Sequence, residues 1–126
     1  MLHHLSFAVT DLEASAFFYD RALAALGYTR VWTTRDAIGY GHADQEDKLA
    51  IKLSEAPVSL PETGFHVAFT ARTQAAVQAF HAAALTCGGR DNGRPGLRPD
   101  YGPDYYAAFV IDPDGYHLEA VVPGHR

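Results

Sequence analysis

The sequence predicts an α+β fold: two βαβββ modules forming one curved, mixed eight-stranded sheet with helices on the outside. Three observations predict it. Compared with itself at a shift of 62 residues, the chain matches His4 with His66, Phe7 with Phe69, Ala14 with Ala76, Phe18 with Phe80, Ala22 with Ala84, Leu23 with Leu85 and Gly27 with Gly89, seven identities over 25 positions. Each copy then reads as a short strand, a turn and a helix of about four turns that stops at glycine. After each helix come short apolar runs divided by turn residues, as strands are.

In the first copy the strand spans about 2–9. Thr10, followed three residues later by Glu13, fits an N-cap with its capping box. Leu12, Ala16, Tyr19, Leu23 and Leu26 recur at helical spacing, and Gly27 closes the helix. Strand-like runs follow at 29–34, 37–41 and 48–53. In the second copy the strand covers about 65–71, and Thr73 caps a helix with Val77, Phe80, Ala84 and Cys87 on its apolar stripe. A weak strand near 90–91 precedes a loop over 92–99, where Gly and Pro accumulate. Runs at 105–111 and 116–122 flank Asp112-Pro113-Asp114-Gly115, a strong hairpin turn.

A chain of 126 residues suits one domain, with repeat copies at 1–56 and 64–122 and a Pro-containing linker at 57–63. The net charge of −5 and the lack of a basic run argue against a nucleic-acid partner. No apolar run approaches the ~18 residues of a membrane helix, so no membrane partner is expected. Neither is a secretory leader. The single cysteine, Cys87, permits no internal disulfide and suits the cytoplasm, with packing as its expected role.

Strand alternation separates the two adjacent histidines at the start. His3 shares a face with Leu5, Phe7 and Val9, the packed side. His4 shares the other with Ser6 and Ala8, small residues that suit a cavity wall. In the second copy His66, Ala68 and Thr70 repeat that second face, so pseudo-twofold symmetry aims His4 and His66 at a shared cleft. In the last strand His117, Glu119 and Val121 share a face. A carboxylate among apolar neighbours needs a cation, and a divalent metal held with two histidines supplies one. Two neutral imidazoles and one carboxylate leave coordination positions open for water and substrate. His42 and His81 read as surface residues, and His125 as part of a tail.

Residues 4–12, Ser15, Phe18-Tyr19, Leu26-Gly27-Tyr28, 64–69 and the run Asp112-Pro113-Asp114-Gly115-Tyr116-His117-Leu118-Glu119 resemble the vicinal oxygen chelate superfamily. That superfamily includes glyoxalase I, fosfomycin-resistance thiol transferases, extradiol dioxygenases and bleomycin-resistance proteins. The resemblance covers nearly the whole chain and implies metal ligands at His4, His66 and Glu119. It implies a cofactor among Fe, Mn, Ni, Co and Zn, and a small-molecule substrate chelated through vicinal oxygens by a lyase, isomerase, thiol transferase or dioxygenase. A metal-free, ligand-sequestering protein of the bleomycin-resistance type is the alternative. Such modules either pair within one chain or are swapped in a homodimer.

Glyoxalase I has a fourth, glutamate ligand in its first half. Aligning 49–53 with 116–120 sets Lys52 opposite Glu119, which argues against a four-ligand site. Specificity is expected from the 98–106 segment. There Arg98 would hold an anion and Tyr101 or Tyr105 would donate a proton or stack on substrate. Asp100 and Tyr106 belong to the same specificity set, with Tyr106 expected to bind substrate, and Lys52 would neutralise an anionic substrate.

Overall fold

The computed structural model describes residues 1–124; His125 lies outside the described residues. The element order is β1 (Leu5–Val9), α1 (Leu12–Ala24), β2 (Thr29–Thr33), β3 (Ala37–Gly41), β4 (Leu49–Leu53), β5 (Val67–Thr70), α2 (Gln74–Thr86), β6 (Arg90–Leu97), β7 (Tyr106–Ile111) and β8 (His117–Val122). Two βαβββ units are present, as expected. Their strands form two four-stranded sheets, β1-β4-β3-β2 and β5-β8-β7-β6, rather than one of eight. In each, the first strand runs parallel to the last and the remaining pairs are antiparallel. The 62-residue shift carries α1 onto α2 end for end.

The helical stripes do what their spacing predicts. Ala16, Tyr19, Leu23 and Leu26 of the first copy and Val77, Phe80, Ala84 and Cys87 of the second are buried. The two helices pack against each other, so the halves meet helix to helix, and among the described residues β1 and β5 are unpaired along one side. Polar contacts reinforce the junction. Phe7 of β1 stacks on Tyr116 at 4.2 Å between centroids, and the Tyr116 hydroxyl donates to the Ala8 carbonyl at 2.8 Å. Tyr19 of α1 donates to Asp112 in the hairpin turn before β8.

Four expectations need correction. The cap of α1 is Asp11, whose carboxylate accepts from the Ala14 N–H at 3.1 Å. Thr10 is drawn elsewhere: its hydroxyl donates to Asp114 Oδ1 at 2.6 Å, tying the start of α1 to the far hairpin. The segment read as a loop from residue 92 is strand β6, which continues to Leu97 through register shifts at Gly93 and Gly96. As an edge strand it bonds only β7, so Pro95 breaks no interior ladder. His81 is not a surface residue. It is 9% exposed, with Nε2 2.8 Å from Asp91 Oδ1. Finally, β1 and β5 start one residue after His4 and His66, so both histidines sit at strand entrances rather than within strands.

Candidate metal centre

The strand β8 alternates as the sequence suggests. Leu118 and Ala120 belong to the core, while His117 and Glu119 face a cavity of about 520 Å³ on the other side of the sheet. Glu119 is 2% exposed. One carboxylate oxygen lies 3.0 Å from His66 Nε2, and the other accepts the Tyr105 hydroxyl at 2.6 Å. Parallel pairing of β5 with β8 sets Ala68 beside Glu119 and thereby brings His66, just upstream, within reach. Burial, then the bond to Glu119, pushes the Tyr105 phenol up to about 12, so it stays a proton donor across the neutral range.

The donor set fits a divalent ion. An imidazole nitrogen and a carboxylate oxygen suit Zn, Fe, Mn, Co or Ni. Two neighbouring ligands with bonds of about 2.1 Å stand about 3 Å apart at a right angle, which matches the His66–Glu119 spacing. Within one chain the set stops at two: among the described residues no group of three His, Cys, Asp or Glu side chains is placed to hold a metal.

Of the residues marked in the sequence, the structure brings together His66, Glu119, Tyr101 and Tyr105. His4 lies apart from them, exposed, with Nδ1 2.8 Å from His3 Nδ1, and His3 in turn bonds Glu46. Arg98 is off the cavity wall; its guanidinium lies over the Phe109 ring and Nη2 donates to the Arg94 carbonyl at 2.6 Å. Tyr106 faces the core, where its hydroxyl accepts from Gln78 at 2.9 Å. Asp100 is exposed and off the wall.

Lys52 is exposed on β4, and the register moves it off the position opposite Glu119. Ser6 pairs with Ala50, and the repeat sets Ser6 on Ala68, which pairs with Glu119. Ala50 is therefore the counterpart of Glu119, and Lys52 that of Val121. The sequence alignment placed them two residues out because strand ends carry no marker of register.

Sequence reasoning set His117 on the Glu119 face without marking it as a site residue, and missed Phe65, Asn92 and Phe109 among the wall residues. His117 follows from alternation, lying two residues before Glu119, whereas Phe109 enters through its register with Glu119, which the sequence does not mark. Asn92 was hidden by reading β6 as a loop.

The family model of the glyoxalase/bleomycin resistance protein/dioxygenase superfamily matches residues 1–120. A crystal structure of a glyoxalase/bleomycin resistance protein from Albidiferax ferrireducens T118 superposes with a TM-score of 0.83 at 29% identity, over 100% of this chain and 99% of that one. A glyoxalase-related enzyme from Fulvimarina pelagi gives 0.73 at 22% identity, over 98% and 88%. A glyoxalase I mutant from Zea mays gives 0.68 at 22%, over 94% of this chain and 45% of that one. The last two share the fold. No protein of curated function matches the chain. With its two βαβββ units and a family match running through β1 and Glu119, the chain belongs to the glyoxalase/bleomycin resistance protein/dioxygenase superfamily.

Proposed function

We propose that the protein is a metal-dependent enzyme acting on a small substrate with two adjacent oxygen atoms. Its divalent ion is held by His66, Glu119 and the partner subunit's His4. The observation that carries this reading is a buried carboxylate 3.0 Å from an imidazole nitrogen at the wall of an open cavity. A carboxylate out of water at such a place is costly without a cation.

The third ligand follows from the sheet edges. Strands β1 and β5 each have one unpaired side, and His4 and His66 each precede their strand by one residue. A second copy laying its β1 beside β5 would satisfy both edges and carry its His4 toward His66. When bound, the ion would supply Lewis acidity to substrate oxygens. The chain's own residues supply the rest. Tyr105 fixes one oxygen of Glu119 and so orients the other, and aromatic side chains line the cavity around them.

Metal content and thermal stability of untagged protein test the reading, with Mn, Fe, Ni, Co and Zn added in turn. A metal-dependent rise in Tm is expected, lost in His66→Ala and kept in His3→Ala. Mixing His4→Ala chains with His66→Ala chains should restore about a quarter of the sites, because one site of each mixed dimer is intact. A lack of restoration would overturn the shared site between two chains, and a full metal-dependent rise in His4→Ala alone would place His4 outside the site. No metal-dependent shift in the native protein would instead favour a metal-free, ligand-sequestering protein, a reading supported by the His66–Glu119–Tyr105 bonds, which already satisfy the carboxylate.

A further inference from the structure

The walls of the cavity carry more information than its metal-binding end. Phe65, Tyr101, Tyr105 and Phe109 line it, with the Tyr101 and Tyr105 rings meeting edge to face at 5.3 Å. Phe65 and Tyr101 stay 42% and 65% exposed, large apolar surfaces left uncovered around a concave space. Among the described residues no lysine or arginine stands on the wall, and Glu119 is its one carboxylate. Arg98 is engaged elsewhere, over the Phe109 ring and on the Arg94 carbonyl. Lys52 occupies the place in its sheet that Val121 holds in the other, and Val121 does not reach the wall.

We propose that the cavity takes an uncharged aryl compound whose ring packs among Phe65, Tyr101, Tyr105 and Phe109 while its two adjacent oxygens face His66 and Glu119. Placement of the oxygens rests on the metal reading above; the aryl preference rests on the walls alone. Aromatic rings prefer edge-to-face or offset partners, which this wall offers from several sides, and an anionic group on the ring, away from His66 and Glu119, would meet no lysine or arginine among the described wall residues.

Three hydroxymethyl ketones share one chelating head and differ in body: phenyl, methyl and para-carboxyphenyl. Their affinities are measured by calorimetry on metal-loaded and on metal-free protein. The phenyl compound should bind about tenfold tighter than the methyl one, the reach of one or two aromatic contacts. The para-carboxyphenyl compound should bind more weakly than the phenyl. Tyr101→Leu should shrink the phenyl preference and Tyr101→Phe should keep it; Tyr101 is exposed, so neither change threatens the fold. Equal affinity for phenyl and methyl, or tighter binding of the carboxylate, overturns the proposal. If metal binds without an aryl preference, only this proposal fails. If the preference survives in a protein that takes up no metal, only the metal reading fails.

Discussion

The two halves share a backbone and differ in where they put their large side chains. In the first sheet Gly39 of β3 pairs with Trp32 of β2, and a Cβ on Gly39 would lie 2.2 Å from the indole. In the second the sizes are exchanged: Phe109 of β7 pairs with Gly93 of β6, where a Cβ would lie 2.9 Å from the phenyl ring. Next along, Ala50 in the first sheet answers Glu119 in the second. The indole in one half lies flat over a glycine beside a buried alanine. The phenyl ring in the other stands at the edge of a hollow that holds a carboxylate. One scaffold thus yields a filled face and a hollow one that holds a carboxylate, and the exchange of a few side chains decides which.

The sharpest way to break this contrast is to put the acid on the wrong side. Ala50 is 1% exposed, with Gly39 opposite and Trp32 beyond it. Ala50→Glu forces an unpaired charge and extra volume into that space, and should cost about 3–5 kcal/mol in urea unfolding. The reciprocal Glu119→Ala opens space next to a cavity and leaves His66 and Tyr105, both partly open to water, to be solvated. It should cost far less stability while abolishing the metal-dependent Tm rise. A mild Ala50→Glu would mean that the first face is not filled at all.

The same contrast explains what the sequence reveals. Helices are legible because their periodicity, caps and glycine stops are local; the 62-residue repeat then identifies corresponding pieces, and β8 alternation points Glu119 away from the core. Register is a long-range property, so Lys52 was placed two residues from its true counterpart. Pro95 and two glycines disguised β6, since edge strands tolerate them. The spatial relation of His4 to His66 was least legible. The repeat says that they are equivalent, but equivalence under a pseudo-twofold axis is met equally well within one chain or between two.

A second contrast lies at one helix position, where Tyr19 in α1 corresponds to His81 in α2. Both are buried and both reach an aspartate, but Tyr19 reaches across to Asp112 in the other half, whereas His81 bonds Asp91 in its own. Burial, opposed by the Tyr19 bond and two backbone N–H groups, leaves the Asp112 carboxyl above its usual range. A raised acid holds its proton in the folded state longer than in the unfolded one, so stability falls as pH rises from 3.8 through the folded value. Tyr19→Phe removes a bond that favours the ionised form and raises that folded value further. It should cost about 1–3 kcal/mol, more at neutral pH than near pH 4, as denaturant melts at the two pH values would read. An equal cost at both would show that Asp112 does not feel the phenol.

Asp91 gives the opposite sign and the smallest effect. The bond with His81, then the Gly93 N–H, holds this carboxyl below its ordinary range, while burial pulls weakly the other way. Its contribution is therefore complete above 3.8 and disappears as pH falls through the lower, folded value. Asp91→Asn should leave a Tm slightly below that of the native protein at neutral pH, with the two converging in acid. The side chain is solvent-exposed, so screening keeps the difference small, and added salt should narrow it. A gap that persists unchanged into acid would mean that Asp91 acts through the hydrogen bonds its carboxyl makes with His81 and Gly93 at the β6 register shift, not through its charge. The contact would then be a device for bending an edge strand, and the electrostatic difference between the two helices would reduce to Tyr19 and Asp112 alone.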